Sequence, residues 1–316
     1  MRKVATIFAA NGAVGAACVE GFLQHDEFDV RILVRSGGSE KSSSGIGTPD
    51  AGMKRERWEH WRSRGVELRE ADMMNHASLI PALTGTDYLV SCAPITATES
   101  QYPLIWAAKE AGVGRFVPSE YGFIYDWERS LPTHTVHRTI ARQKVFVRQV
   151  IELAGLDYTI IPAGLWPEYY MMEPVPVMGD PDKPVAWSIA SDIGRIIPHI
   201  LTHPASRNAV CPIAATAYCS WNELLAVRER LLGRKVSRQQ RTKTEWQTCY
   251  AARDNGLEQV LMAMGISVSE CPDGLALWGN WNATYLPDFK GTPLEDAFPT
   301  IIEPFAAQMQ HVLSKS

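Results

Sequence analysis

The sequence predicts an α/β protein with a Rossmann-type, doubly wound parallel sheet and a smaller, mostly C-terminal substrate-binding domain. Short apolar runs of strand type alternate with helical patterns through the first half of the chain. The first of these runs ends in a glycine-containing turn that opens a helix. After Pro162 the regular alternation stops and prolines become frequent.

The alternation of strands and helices can be followed along the chain. Val4–Ala9 is an apolar run of strand type, and a helical pattern through Val19 and Leu23 separates it from a second strand at Val30–Val34. The Ser- and Gly-rich residues 36–52 predict a long loop. The same reasoning predicts helices at Trp58–Arg64, Ala77–Leu83, Tyr102–Ala111 and Thr139–Ala154 and strands at Val66–Glu70, Tyr88–Ser91, Arg115–Val117 and Tyr158–Ile161.

The change of pattern at Pro162 predicts two domains, which the length of 316 residues allows. Residues 1–162 form the Rossmann domain, to which the chain returns near 185–215. Residues 163–316 form mainly the substrate-binding region, with helices at Asn222–Leu232 and Asn255–Met264.

Composition and charge exclude several classes of protein. Hydrophobic residues make up 46% of the chain and charged residues 21%, as in packed globular proteins. The net charge of −4 gives no general attraction to polyphosphates, so we expect no nucleic-acid partner. Six cysteines without a C-x-x-C pair argue against a metal site or a disulfide framework and for a reduced compartment.

No apolar run approaches the length of a membrane span, and the strand pattern begins at once, without room for a secretory signal. We therefore expect a cytoplasmic protein without a membrane partner, either a monomer or a homodimer.

The turn after the first strand is the first candidate ligand site. Gly12 would let the backbone approach a pyrophosphate, and Gly15 would let the helix pack closely on the strand. Together with Asn11 and Val14 they surround a helix N-terminus, which offers unpaired N–H groups to phosphates. Ala9 replaces the first glycine of the usual pattern, and the alternative is a tight β–α turn that binds nothing.

Arg35 adds a second indication of a dinucleotide site. It ends the second strand, 20 residues after Gly15, where NAD-binding folds place an acidic residue on the ribose 2′-hydroxyl. A guanidinium suits a 2′-phosphate instead, and Ser36 and Lys41 follow it. The sequence therefore predicts NADP(H) rather than NAD(H) as the cofactor, unless Arg35 is a solvated arginine at a strand end.

Two later segments resemble one protein family. Residues 107–122, AAKEAGVGRFVPSEYG, resemble the A-x-x-x-G-V-x-x-F-x-P-S-E-F-G signature of the isoflavone reductase-like and NmrA-like reductases, which are atypical short-chain dehydrogenases/reductases. Residues 144–159 resemble that family's lysine helix and the strand after it. Shorter matches lie at 65–67, 71–73, 83–91, 192–194, 232–236 and 286–289.

The resemblance implies an NADPH-binding Rossmann domain and a smaller domain that closes over an aromatic-type substrate. Carried over by position, it assigns the phosphates to Gly12, Gly15, Arg35 and Ser36, the adenine to Met73, the cofactor's ribose to Ala93 and Pro94, and the nicotinamide to Pro118, Ser119 and Tyr121. The same resemblance makes Lys144 the catalytic lysine.

Lys144 stands without the tyrosine that accompanies the lysine of ordinary short-chain dehydrogenases, because Ile140 lies four residues before it. A lysine beside bound cofactor can act as an acid or base. The alternatives are that it only binds the nicotinamide ribose or that it is an exposed helix lysine. His134 and His137 are further candidates for proton transfer, or simply solvated.

An aromatic run supplies candidates for a substrate pocket. Residues 162–172, PAGLWPEYYMM, depart from the Asn and Phe that the family often carries there, which argues against the usual plant phenylpropanoid substrates. Broad apolar pockets bury flat ligands with few polar anchors. The candidates, for which ordinary core packing is the alternative, are Phe123, Tyr125, Leu165, Trp166, Tyr169, Tyr170 and Trp278.

These observations favour an NADPH-dependent reductase of a bulky aromatic or heterocyclic small molecule, in secondary metabolism. One alternative couples NADPH-dependent reduction to cyclisation, such as a cycloaddition, of a biosynthetic intermediate. The other is a regulator that senses NADP(H) without catalysis and signals to a protein partner.

Overall fold

The computed structural model describes residues 2–35, 51–123, 135–252, 262–263, 265–266 and 279–313, with backbone alone at 51, 135–137 and 311–313. The chain divides into two compact units. The first comprises Met1–Glu120, Phe146–Ile161 and Ala190–Cys211, and the second comprises Tyr121–Val145, Pro162–Ile189 and Pro212–Ser316. The segment Tyr121–Val145 therefore groups with the second unit, and the predicted division of function at residue 162 stays a prediction.

The first unit is built on a parallel sheet of five strands in the order β3-β2-β1-β4-β5. A parallel pair, β6 and β9, also belongs to this unit. These strands are β1 Lys3–Phe8, β2 Phe28–Arg35, β3 Glu67–Ala71, β4 Tyr88–Ser91, β5 Arg115–Val117, β6 Thr159–Ile160 and β9 Ala209–Val210. The order of the strands confirms the predicted doubly wound parallel sheet.

Helices accompany this sheet, and two of them approach each other through glycines. They are α1 Ala13–Phe22, α2 Ala51–Ser63, α3 His76–Leu83, α4 Gln101–Glu110, the second half of α5 Thr135–Ala154, and α7 Ala190–Thr202. A Cβ on Gly21 of α1 would lie 2.1 Å from the backbone oxygen of Gly194 in α7, so this contact needs glycine. In β1, Ala5 and Ile7 on one face and Thr6 on the other are all fully buried, as expected for a strand covered on both faces.

The second unit has short strands around an aromatic core. A parallel pair joins β7 Val175–Val177 to β11 Arg238–Gln240, and an antiparallel pair joins β8 Pro184–Trp187 to β10 Ala217–Ser220. Its helices, besides the first half of α5, are α6 Pro167–Tyr170, α8 Trp221–Leu232, α9 Lys243–Ala251, α10 Trp281–Tyr285, α11 Leu294–Ala297 and α12 Glu303–Leu313. The rings of Trp187 and Trp221 are both buried and meet edge to face at 4.7 Å.

Several elements differ from the prediction. Helix α2 begins at Ala51 rather than near Trp58, because its first two turns are polar and carry no apolar periodicity. Helix α7 runs for 13 residues through a stretch where short elements were expected, with Pro198 inside it. Helix α9 was not predicted, and most of the predicted helix Asn255–Met264 lies outside the described residues.

Candidate cofactor and substrate sites

The turn between β1 and α1 is tight and adopts an unusual backbone at Ala9. The φ angle of Ala9 is +60°, in the left-handed region that favours glycine. The Gly12 N–H donates to the Ala9 carbonyl oxygen at 3.2 Å and closes the turn. The position where the usual pattern has its first glycine therefore keeps a glycine-like conformation although the residue is alanine.

Gly12 and Gly15 are glycines for different reasons. A Cβ on Gly15 would lie 2.3 Å from the Ala9 carbonyl oxygen and 2.7 Å from the Cα of Ala10, so the packing of the turn requires glycine there. At Gly12 the same test meets only Ala9 oxygen, at 3.7 Å, and the φ angle of −72° suits any residue. The packing of the protein itself would accept a side chain at position 12. A ligand that approaches this turn closely would collide with one, and would therefore require glycine there.

The N-terminus of α1 fits an anion. Its N-cap is Gly12, which has no side chain to cap the helix, and the first turn contains no acidic residue. The first N–H groups of a helix lack intrahelical partners, and the helix dipole adds positive charge there. Val14 is buried, so its side chain packs in the core and only its backbone faces the turn. Asn11 already accepts a hydrogen bond through Oδ1 from Trp58 Nε1 at 3.0 Å.

Arg35 is the last residue of β2 and is exposed. Because β2 is the parallel neighbour of β1, its carboxyl end lies at the same edge of the sheet as the turn that follows β1. Met73 comes two residues after β3 and packs, half-buried, against the core of this unit. Ser36 lies outside the described residues. The charge and position of Arg35 therefore fit a 2′-phosphate.

The loops after β4 and β5 are fixed to each other. Ser119 Oγ donates to the backbone oxygen of Ala93 at 2.8 Å, and Ser119 N–H donates to Oε1 of the buried Gln101 at 2.9 Å. Pro94 is exposed and Pro118 is buried. The serine of the Pro-Ser-Glu-Tyr-Gly segment thus braces the two loops that the resemblance assigns to the ribose and the nicotinamide.

Glu120 of the same segment forms a buried ion pair. Its carboxylate is 1% exposed and accepts from Arg148 Nε at 2.7 Å and from Arg148 Nη2. Removing one partner of a buried pair costs about 3–5 kcal/mol, because the other charge is left without compensation. Arg148 lies in the second half of α5, so this pair attaches that part of the helix to the loop after β5.

In the second unit, Tyr121 and Gly122 are bound to the segment after β6. Trp166 Nε1 donates to the Tyr121 backbone oxygen at 2.7 Å, and Ala163 and Gly164 both donate their N–H groups to Gly122 oxygen at 3.1 Å. A Cβ on Gly122 would lie 3.8 Å from Lys144 Nζ, so the half-buried lysine ends beside this glycine.

The predicted pocket residues fall into two sets. Phe123, Leu165 and Tyr170 are buried in the hydrophobic core of the second unit. Trp166 and Tyr169 keep part of their surface exposed. Burial, with the nearby Glu168 carboxyl, raises the pKa of Tyr169, so its hydroxyl stays protonated at neutral pH. Tyr125, Trp278 and His134 lie outside the described residues, and only the backbone of His137 is described. Whether these residues line a pocket stays a prediction.

Sequence reasoning missed Gln101 and Arg148. Both act on the predicted site through other residues, Gln101 on Ser119 and Arg148 on Glu120, across separations of 18 and 28 positions. No pattern in the local sequence predicts partners at such separations. The contacts between α2 and Asn11 were missed for the same reason.

The comparisons with known proteins give the family of this chain. A model of the NmrA-like family matches residues 1–265. The chain belongs to the NmrA-like family. This confirms the resemblance seen in the Pro-Ser-Glu-Tyr-Gly and lysine-helix segments.

Among the relatives of this chain, an isoflavone reductase of Medicago sativa is 25% identical over 246 residues, which cover 73% of this chain and 76% of the relative. A phenylcoumaran benzylic ether reductase of Nicotiana tabacum is 27% identical over 194 residues, covering 57% and 62% of the two chains.

Solved structures confirm the Rossmann-type fold. A crystal structure of isoflavone reductase superposes with a TM-score of 0.78 at 23% identity, covering 94% of this chain and 98% of that one. Leucoanthocyanidin reductase of Vitis vinifera, solved with NADPH, gives a TM-score of 0.76 at 20% identity and covers 96% and 99% of the chains. Both sequence relatives are named as reductases, and NADPH is bound in that leucoanthocyanidin reductase structure. In the ranges that the structure describes, no helix is long and apolar enough to cross a membrane.

Proposed function

We propose that this NmrA-like protein is an NADPH-dependent reductase of a bulky aromatic or heterocyclic small molecule in secondary metabolism. The observation that carries the proposal is the β1–α1 turn. Its helix N-terminus is uncapped and Gly12 is open, and the adjacent parallel strand ends in Arg35. An uncapped N-terminus suits a pyrophosphate, and an arginine at the end of the second strand suits a 2′-phosphate.

Each predicted residue has a distinct part in this proposal. The backbone around Gly12 and Gly15 holds the pyrophosphate, and Arg35 pairs with the 2′-phosphate. When bound, NADPH supplies a hydride to a C=C, C=N or C=O group of the substrate. The resulting anion needs a proton, and Lys144 Nζ is the candidate to deliver it.

The aromatic substrate class is supported by the side chains and by the relatives. Trp166 and Tyr169 are half-buried, and their rings lie 5.9 Å apart, an aromatic pair that suits a flat apolar ligand. The relatives are named for isoflavones, phenylcoumarans and leucoanthocyanidins, all of which are aromatic oxygen heterocycles. The departure of residues 162–172 from the family pattern favours a substrate that differs from these in detail.

Binding and turnover test the two halves of the proposal. A fluorescence titration with NADPH, NADP⁺ and NADH should give NADPH binding at least tenfold tighter than NADH, about 1.4 kcal/mol. A panel of isoflavones, benzylic ethers and aryl imines should then contain compounds that accelerate NADPH oxidation. Tight binding of NADP⁺ in preference to NADPH, with no oxidation across the panel, would favour a non-catalytic sensor. Binding of none of the nucleotides would refute the cofactor site.

A further inference from the structure

Helix α2 reaches the phosphate-binding turn with two consecutive side chains. Arg57 Nη1 donates to the Asn11 backbone oxygen at 3.2 Å, and Trp58 Nε1 donates to Asn11 Oδ1 at 3.0 Å. Asn11 immediately precedes Gly12, the N-cap of α1, so both contacts fall on the turn to which the pyrophosphate is assigned above. They bring a half-buried guanidinium to a turn, residues 9–15, that has no basic residue of its own.

The guanidinium of Arg57 is held in place by contacts on two sides. Its carbon lies 5.9 Å from the ring centre of Trp61, one helical turn along α2. Trp61 is itself 1% exposed, and its Nε1 donates to Glu20 Oε1 of α1 at 2.8 Å. The ring and the Asn11 oxygen therefore fix Arg57 from two sides. Asn11 takes one of the five N–H donors that a guanidinium carries.

We propose that Arg57 is a second guanidinium for the 2′-phosphate of NADP(H), acting beside Arg35; the inference rests on the proposed function. A 2′-phosphate carries up to two negative charges near pH 7, and Arg35 supplies only one positive charge. Arg35 ends β2 and Asn11 follows the adjacent parallel strand β1, so Arg35 and the Asn11 carbonyl that Arg57 contacts lie at the same edge of the sheet. The pyrophosphate is served separately by the N-terminus of α1.

The test compares NADPH with NADH, because the two nucleotides differ only in the 2′-phosphate. In Arg57→Gln, the dissociation constant of NADPH should rise at least tenfold and that of NADH less than twofold. Arg57→Lys should recover part of the loss. The matched control is Arg62→Gln, an exposed arginine of the same helix about 140° around its axis, which should leave both constants unchanged.

Three outcomes separate this inference from the proposed function. Wild-type protein that binds neither nucleotide refutes both. A wild-type preference for NADPH that survives in Arg57→Gln refutes the inference alone. Equal weakening of NADPH and NADH by the substitution also refutes it, because Arg57 would then only hold the turn in shape. Repeating the titration with 2′,5′-ADP and 5′-AMP gives a second readout, and 2′,5′-ADP alone should lose affinity.

Discussion

Alanine substitutions at the two glycines of the phosphate-binding turn should separate binding from folding. Gly15→Ala places a methyl group 2.3 Å from the Ala9 carbonyl oxygen, where ordinary contact begins at 3.4 Å. Gly12→Ala places one 3.7 Å from the same oxygen. The first change forces the protein to move, and the second collides only with a ligand. We therefore expect the two variants to fail in opposite ways.

The expected magnitudes follow from these distances. At Gly15 the turn must shift by about 1 Å against backbone atoms, and overpacking of that kind costs about 1–3 kcal/mol. For a unit of this size, each kcal/mol lowers the Tm by about 2–4 °C. At Gly12, alanine is a poorer N-cap than glycine, but it also restricts the unfolded chain, and the two effects nearly cancel. The Tm of Gly12→Ala should therefore stay close to that of the wild type.

Thermal unfolding and calorimetric titration with NADPH measure both properties. Gly15→Ala should lower the Tm without ligand. Gly12→Ala should keep the Tm but lose at least tenfold in NADPH affinity, because its methyl group occupies the approach of the pyrophosphate. NADPH at a hundred times the wild-type dissociation constant stabilises the wild type by about 2.7 kcal/mol but a tenfold weaker binder by only about 1.4 kcal/mol, so the rise in Tm with NADPH should shrink by about half or more. Unchanged NADPH affinity in Gly12→Ala would refute the placement of the pyrophosphate.

Three further predictions concern other residues. Lys144→Ala should lower kcat about 100-fold in a steady-state assay with an active substrate, as for loss of a general acid, and an unchanged kcat would remove its catalytic role. Hydrogen bonding to Arg234 lowers the pKa of Glu173 from 4.5 to about 2, so the stability that this carboxylate contributes is complete above pH 4.5 and is lost as the pH falls towards 2. Thermal melts of Glu173→Gln should therefore fall less steeply over that range than those of the wild type, and parallel curves would contradict the assignment. Ala9→Gly should stabilise the protein by about 0.5 kcal/mol in denaturant titrations, because it relieves an alanine in the left-handed region at some cost in chain entropy. The control is Ala10→Gly, at a position with negative φ, which should destabilise the protein.

The order of strands and helices in the first unit was predictable because its periodicity is local. Strands such as Tyr88–Ser91 and Arg115–Val117 agree with the prediction to the residue, since each is a short apolar run between turn residues. Helix α2 was predicted seven residues too short because its start has no apolar stripe, and its position depends on Trp61 packing against α1. Contacts of that kind lie outside any sequence window.

The site was predictable as a set of loops but not as a set of contacts. Parallel strands place the loops that follow them at one edge of the sheet, which is enough to bring Gly12, Arg35 and Ser119 into consideration. The sequence does not show which polar atoms already have hydrogen-bond partners within the protein. Asn11 was assigned to the cofactor from its position, yet its amide oxygen already accepts a hydrogen bond from Trp58, so one of its two acceptor lone pairs is used within the protein.

The Pro-Ser-Glu-Tyr-Gly segment shows what a sequence signature can encode. Ser119 is hydrogen-bonded to Ala93 and Gln101, and Glu120 accepts hydrogen bonds from Arg148. The backbone oxygens of Tyr121 and Gly122 accept hydrogen bonds from the segment after β6. A motif that resembles a nicotinamide site is therefore composed largely of residues that brace loops and the lysine helix. Such bracing lets catalysis rest on few polar groups, because each of them is held in place before the substrate arrives. It follows that loss of Glu120 would take the carboxylate partner from Arg148 and loosen the second half of α5, at a cost of about 3–5 kcal/mol.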